Sequence, residues 1–317
     1  KNNLTLNSGA LLDAHATGTG EKGGKVTLET ASGTIDLNNQ PIAVQGIDGT
    51  GGSVLLRAPQ LATVGSASNN EVALNNTGGT ALNVSSGASV TVEAFKTYTP
   101  PASLTAANAA TTTAIYKTDA ENFTANAGTV KTRLGMLNNP NLHLTPGVEL
   151  NSAGDLTLAT NWDLSTWRFN DGNGGVTEPG ILTLKAAGNL NFGTNVATPA
   201  VTTPSATATP ATLTTPASLT DGFSTINNVI GVTSLGAYPT MTPTTTASWS
   251  YRLVAGSDSN SADVMAVKNA VPANGGAPTT GNVVLVSGSE YKGTGSANKT
   301  TSYYSMEQIR TGTGSID

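Results

Sequence analysis

GKVTLETASGTIDLNN, residues Gly24–Asn39, carries two copies of one short grammar: a Gly or Asn corner, an apolar-x-apolar pair and a small polar turn. Val26 and Leu28 form the first pair, Ile35 and Leu37 the second. Period-two alternation puts both members of a pair on one face of a strand, so each copy reads as a strand of roughly three to five residues with a buried side. The same grammar returns in NLTLNSG (Asn3–Gly9), GGSVLLRAP (Gly51–Pro59), NLHLTPGVELNSAGDLTLAT (Asn141–Thr160), GILTLKAAGNLNF (Gly180–Phe192) and GNVVLVSGSEYKG (Gly281–Gly293). Units recur about every 8–12 residues, so two or three of them make a repeat near ~20 residues, the lower end of solenoid periods.

Strands this short do not support an isolated sheet. They become stable when each rung stacks on the next and every backbone N–H and C=O pairs along the axis. The reading is therefore all-β, a parallel β-helix (a solenoid) with extra-helical loop insertions. Its inward residues are Leu4/Leu6, Val26/Leu28, Ile35/Leu37, Leu142/Leu144, Val148/Leu150, Leu156/Leu158, Leu182/Leu184 and Leu190/Phe192. Gly and Asn suit the corners because they tolerate positive φ, and stacked Asn ladders are expected there. A β-sandwich also uses short strands, but usually longer ones with Greek-key connections.

Composition agrees. Of 317 residues only 11% are charged and 5% aromatic, with 36 glycines and a net charge of −5. Nothing clusters Lys and Arg as a nucleic-acid face requires, the longest hint being Lys131-Thr132-Arg133, so no nucleic-acid partner is expected. The chain has no Cys, which excludes thiolate metal sites and thiol catalysis. No run of about 18 apolar residues would span a bilayer as a helix. No signal peptide opens the sequence, and both ends read as cuts through a longer repetitive protein.

Residues 1–98, 138–194 and 249–317 read as rungs, the last continuing beyond the segment. Residues 99–137 form an Ala-rich insertion, partly helical (one or two turns) or loop. Residues 195–248 are a Pro/Thr-rich excursion whose prolines forbid continuous ladder pairing, read as an extended loop.

Catalytic motifs do not hold. Gly18-Thr-Gly20-Glu-Lys-Gly23 matches G-x-G-x-x-G but runs into a strand, not a phosphate-binding helix. Ser296-x-x-Lys299 lacks its companion motifs. His15 and His143 are too few for a zinc site, and alternation turns His143 outward. Asp155, Asp163, Asp171 and Glu178 are candidate paired carboxylates for polysaccharide cleavage. DGNGG (Asp171–Gly175) lacks the oxygen ligands a calcium loop needs. No metal and no cofactor is expected. Five N-x-[ST] triplets, at Asn3, Asn75, Asn83, Asn122 and Asn298, are what an Asn/Ser/Thr-rich chain throws up by composition.

LHLTPGVELNSAGDLTLATNWDLSTWRF (Leu142–Phe169), EPGILTLKAAGNLNF (Glu178–Phe192), TDGF (Thr220–Phe223) and SWSYRLVAGSD (Ser248–Asp258) together resemble filamentous haemagglutinin-type exoproteins, the secreted partners of bacterial two-partner secretion systems. The closing IRTGTGSID resembles the rung that follows in that family. The resemblance covers Asn138–Asp317; residues 1–97 match only in general β-helix style, and the Pro/Thr-rich inserts depart from the family. NPNL (Asn139–Leu142) resembles a tetrapeptide of the family's secretion domain, but its companion N-P-N-G-I is missing, so the segment reads as shaft.

The resemblance implies a right-handed parallel β-helix and export through a partner outer-membrane β-barrel transporter. It also implies a place on the bacterial surface or in an extracellular filament, with adhesive, aggregating or biofilm-forming roles and a host or bacterial receptor or glycan as partner. About 10–14 rungs spaced ~4.8 Å apart would make a rod on the order of 50–65 Å. The alternatives are a polysaccharide-binding or -cleaving β-helix, with acids and bases aligned in an outer groove, and a self-assembling filament subunit.

Two of the three tryptophans fall in DLTLATNWDLSTWRFN (Asp155–Asn170). Trp162/Leu164 and Trp167/Phe169 are i, i+2 pairs that would thicken the core, with Arg168 turned to solvent. Trp162, Trp167 and Phe169 are also the candidate glycan-stacking residues.

Overall fold

The computed structural model describes residues 3–47, 51–61, 71–170, 177–193, 221–230, 247–259, 261–268, 281–285, 291–294, 300–311 and 313–317. Strands dominate it. Six of them form one wholly parallel sheet: Lys25–Glu29, Ser53–Pro59, Ser89–Tyr98, Leu142–Ser152, Ile181–Ala186 and Ser250–Ala255. Each lies beside its predecessor, so the chain repeatedly leaves this sheet and re-enters it one strand further on. The apolar pairs stack in columns: Val26, Val54, Val90 and Leu142 in one, Leu28, Leu56, Val92 and Leu144 in the next. Val148, Leu182 and Tyr251 continue this packing in the later strands.

Shorter parallel strands take the return path. Leu4–Thr5, Ile35–Asp36 and Leu74–Asn75 make one sheet; Leu12–Asp13 and Ile42–Ala43 make another, extended by a parallel bridge from Ile42 to Val84. Ser103–Leu104, Leu156–Leu158, Leu190–Phe192 and Val283–Leu285 form the corresponding sheet of the later turns. Every expected inward pair lies in the core. Those from Ile35 onward are buried, and Leu4, Leu6, Val26 and Leu28 pack partly buried against them. At the corners Asn38 and Asn39 hold φ of 46° and 54°. The expected ladder forms too: Asn39 N–H donates to Asn76 Oδ1 at 2.8 Å, and Asn282 N–H to Asn189 Oδ1 at 3.0 Å.

The turn is longer than the expected repeat. Val26 pairs with Val54, 28 residues on, and Val54 with Val90, 36 on. One circuit holds three strand units, such as Lys25–Glu29, Ile35–Asp36 and Ile42–Ala43, within the two or three expected, but the connections between them are longer. With insertions taking further residues, the long sheet has six strands among the described residues, well below the 10–14 rungs expected.

The insertion at 99–137 is more helical than expected. It folds as α1 (Ala109–Ala125) and α2 (Ala127–Arg133). No Pro or Gly falls between Pro101 and Gly128. The buried residues Tyr116, Asp119, Ala120, Phe123 and Thr124 follow the i, i+3, i+4 spacing of an amphipathic helix. Phe123, Ala127, Val130 and Leu134 close the interior of the earlier turns, whereas Tyr116 and Ala120 join that of the later ones. Leu82 N–H donates to Leu134 O (3.1 Å) and Arg133 Nη1 to Leu74 O (2.6 Å). The end of α2 thus satisfies edge groups that another short strand would otherwise pair.

The excursion differs too. Residues 195–220 and 231–246 lie outside the described residues, but Gly222–Ile230 is a strand, not a loop. It pairs antiparallel with Thr300–Arg310, which pairs antiparallel with Tyr291–Thr294, where parallel rungs were expected. Thr, Tyr and Ile favour a strand without fixing its direction. At the end of the chain Ile316 bridges in parallel to Tyr251, and Asp317 N–H donates to Tyr251 O at 2.9 Å.

The long sheet is strongly curved. Arg252 in the sixth strand bonds Glu93 in the third at 2.8 Å. Three strand spacings in a flat sheet would hold their backbones ~14 Å apart. The sheet therefore curls into a half-barrel whose concave side is opposite the aliphatic columns. A strap of residues 257–259 and 261–268 lies against this face. Its ends are tied by a Ser257–Val267 antiparallel bridge, and Val264 N–H donates to Glu29 Oε1 at 3.2 Å.

Candidate functional site

Two clusters outside the aliphatic columns concentrate chemically distinctive side chains. The first is aromatic. Trp162 opens the short strand Trp162–Asp163 and faces Phe223 across an antiparallel pairing; Phe169 starts a strand paired with Thr177–Glu178. Ring contacts run from Tyr98 through Tyr116, Trp162 and Trp167 to Trp249, which also meets Phe169. Phe223 links Trp162 to Phe192 and Tyr251. Trp249 Nε1 donates to Trp167 O at 3.0 Å. Two glycines make room. A Cβ at Gly180 would come within 2.3 Å of the Trp249 ring, and Gly222, at φ +125°, lies where a Cβ would sit 2.1 Å from Trp162 O.

Trp162, Trp167 and Phe169 are only 5%, 7% and 2% exposed. They thicken the core, as their i, i+2 spacing suggested. A shallow cleft of about 320 Å³ beside the start of α1 touches Trp162 and Trp167 together with Thr160, Asn161 and Asp163. With so little of either indole exposed, it offers no open ring face for a sugar to lie on. Arg168 corrects the solvent reading. Its Nη2 donates to Asp221 Oδ2 at 2.6 Å and its Nη1 to the carbonyls of Leu164 and Trp167. This clamp joins the Trp-bearing stretch to the TDGF turn. Burial pushes the Asp221 carboxyl above its ordinary value, partly opposed by Arg168.

The second cluster fills the concave face of the long sheet. Arg57 Nε donates to Glu93 Oε1 at 3.1 Å, Arg57 also bonds Glu149, and Arg252 Nη1 reaches Glu93 Oε1 at 2.8 Å. The Arg57 guanidinium carbon sits 3.8 Å from the centroid of the Phe95 ring. Arg57 and Glu93 are 1% and 0% exposed. Acids and bases thus align on one sheet face, but as mutually neutralised pairs shut off from solvent. Sequence reasoning missed them because each occupies an outward strand position that reads as solvated; only the curl brings them together.

Burial alone would raise the Glu93 pKa, but Arg57 and Arg252 more than offset it and hold the carboxyl below its ordinary value. A depressed native pKa contributes stability above the unfolded value, about 4.3, that is lost as pH falls through the native one. Urea midpoints should therefore decline below about pH 4, with a shallower decline in Glu93→Gln. Equal slopes would remove Glu93 from the acid response. Glu29 has the opposite sign. Burial leads and raises its pKa, so its charged form opposes the native state as pH rises, and Glu29→Gln should be at least as stable as the parent at neutral pH.

The described acids among those considered for paired catalysis each bond a different partner. Asp155 Oδ1 accepts from Asn189 N–H (2.6 Å), Asp163 Oδ1 from Ser165 N–H (2.8 Å), and Glu178 meets His143 Nδ1 at 2.8 Å. Asp171 lies outside the described residues. Among the described residues no group of three or more His, Cys, Asp and Glu is placed to hold a metal. Glu21 accepts from Gly18 N–H at 2.8 Å, filling the G-x-G-x-x-G turn, and a strand follows it. No family model, curated protein or solved structure matches the chain.

Proposed function

We propose that the chain is a non-catalytic shaft segment of a large secreted bacterial surface protein of filamentous haemagglutinin type, and that its parallel sheets wind as a right-handed β-helix serving adhesion or aggregation. The observation that carries this reading is the six-stranded parallel sheet with apolar columns in register across successive circuits. Such stacking is stabilised mainly by neighbour contacts and extends by adding turns, which suits a long stalk. The residues behind the family resemblance also have a common use. Trp162 and Trp167, the GILTLKAAGNLNF strands, the Asp221–Phe223 turn and Trp249–Tyr251 all pack into the same aromatic core. On this reading export runs through a partner outer-membrane β-barrel, and the protein works at the cell surface or in a released filament.

Beads coated with the purified chain test the role. Incubated with epithelial and bacterial cells and with a panel of polysaccharides, they should bind or aggregate cells above bare beads and release no reducing sugar. Polysaccharide turnover would replace the shaft reading with an enzymatic one. Binding equal to that of bare beads would remove the adhesive role.

A further inference from the structure

On the Ser89–Tyr98 strand, Val90, Val92 and Ala94 face the aliphatic interior, and the same phase continues through Lys96 to Tyr98. Lys96 is in register with Val148, itself an interior residue. A lysine thus occupies a position that the later circuits fill with Val148, Leu182 and Tyr251. Lys96 is 7% exposed, and Asp119, on the buried side of α1, is 2% exposed. Their charged atoms, Lys96 Nζ and Asp119 Oδ2, lie 3.2 Å apart, and among the described residues Lys96 Nζ makes no contact of hydrogen-bonding geometry. Tyr98 Oη donates to the same Asp119 oxygen at 2.8 Å, and the Tyr116 ring packs 4.3 Å from that of Tyr98. Burial, then the hydrogen bond to Asp119, push the Tyr98 phenol far above its ordinary value, so it remains a donor.

An ammonium and a carboxylate together hold the atoms of an amide and one water, and here the two are buried side by side. We propose that Lys96 and Asp119 join in an intramolecular isopeptide bond. One proton passes from Nζ to an Asp119 oxygen, the Nζ lone pair adds to Asp119 Cγ, the C–OH bond breaks, and the hydroxyl leaves with a second Nζ hydrogen as water; nothing is oxidised or reduced. Tyr98 steadies the oxygen on which negative charge gathers during the addition. The product fastens α1, the insertion that interrupts the coil, to the third strand of the long sheet. The inference stands on this geometry alone and is independent of the adhesive reading.

Mass spectrometry of the full denatured chain decides it. The mass should be lower than that of the sequence by one water, and proteolysis should yield one branched peptide containing both residues. Lys96→Ala and Asp119→Ala should each restore the full sequence mass. A parent chain of full sequence mass, with Lys96 and Asp119 on separate peptides, overturns the proposal.

Discussion

Trp249→Ala is expected to destabilise the protein by about 3–5 kcal/mol, the usual cost of deleting a fully buried indole. Trp249 is 0% exposed and lies between elements brought from distant parts of the chain. Its ring meets Trp167 and Phe169 edge-on at 5.9 and 6.0 Å and covers Gly180. Its Nε1–H is one of two donors to the Trp167 carbonyl, with Arg168 Nη1, so the substitution opens a cavity and also removes a buried hydrogen bond. Urea or thermal unfolding would measure the loss. Gly180→Ala approaches the same contact from the other side and should also destabilise, because the indole must move to admit a methyl group. A Trp249→Ala cost below about 1 kcal/mol would mean that this cluster does not bear the packing assigned to it.

Glu93→Ala is expected to cost a similar amount, about 3–5 kcal/mol, for a different reason. It takes from buried Arg252 the carboxylate it bonds and leaves Arg57 with Glu149 alone. The exposed control is Glu121→Ala, which removes the i,i+4 partner of Lys117 and should change stability by under about 1 kcal/mol. A double-mutant cycle on Glu93 and Arg252 is the sharper form of the experiment. These residues couple only if the sheet curls, since a flat sheet keeps their strands too far apart. Additive single effects would contradict the half-barrel.

The curl also changes how the stack should behave. A solenoid whose turns touch only their neighbours can unravel from an end, turn by turn. Here Arg252 reaches across two intervening strands to Glu93, and Val264 of the strap reaches Glu29 on the opposite edge. Those links tie the first and last long strands into one cooperative unit.

The aliphatic columns were legible in the sequence because alternation needs no tertiary information: a Val-x-Leu between Gly and Asn can bury only one face. The corners were legible for the same reason, since Asn38 and Asn39 sit where few other residues would be unstrained. Residues whose role depends on what covers them were not. Arg168 reads as solvated until Asp221 arrives from beyond residue 220, and Arg57, Glu93 and Arg252 read as surface until the sheet bends. α1 was underestimated because Ala and Thr dilute its apolar stripe. The direction of the Gly222–Ile230 pairing could not be read from β propensity, which is the same for parallel and antiparallel neighbours.

The central claim is the parallel, in-register return of the chain to one sheet, and the absence of cysteine makes it directly testable. Thr91 and His143 are register partners on adjacent strands although both helices intervene in sequence, and Leu55 lies one strand beyond Thr91. Adjacent backbones ~4.8 Å apart fall within disulfide range, whereas positions two strands apart, at ~9.6 Å, do not. Under mild oxidation, Thr91→Cys/His143→Cys should form an internal disulfide, seen as faster migration on a non-reducing gel, and Leu55→Cys/His143→Cys should not. Failure of the first pair to close, or closure of the second in its place, would contradict the stacked parallel register.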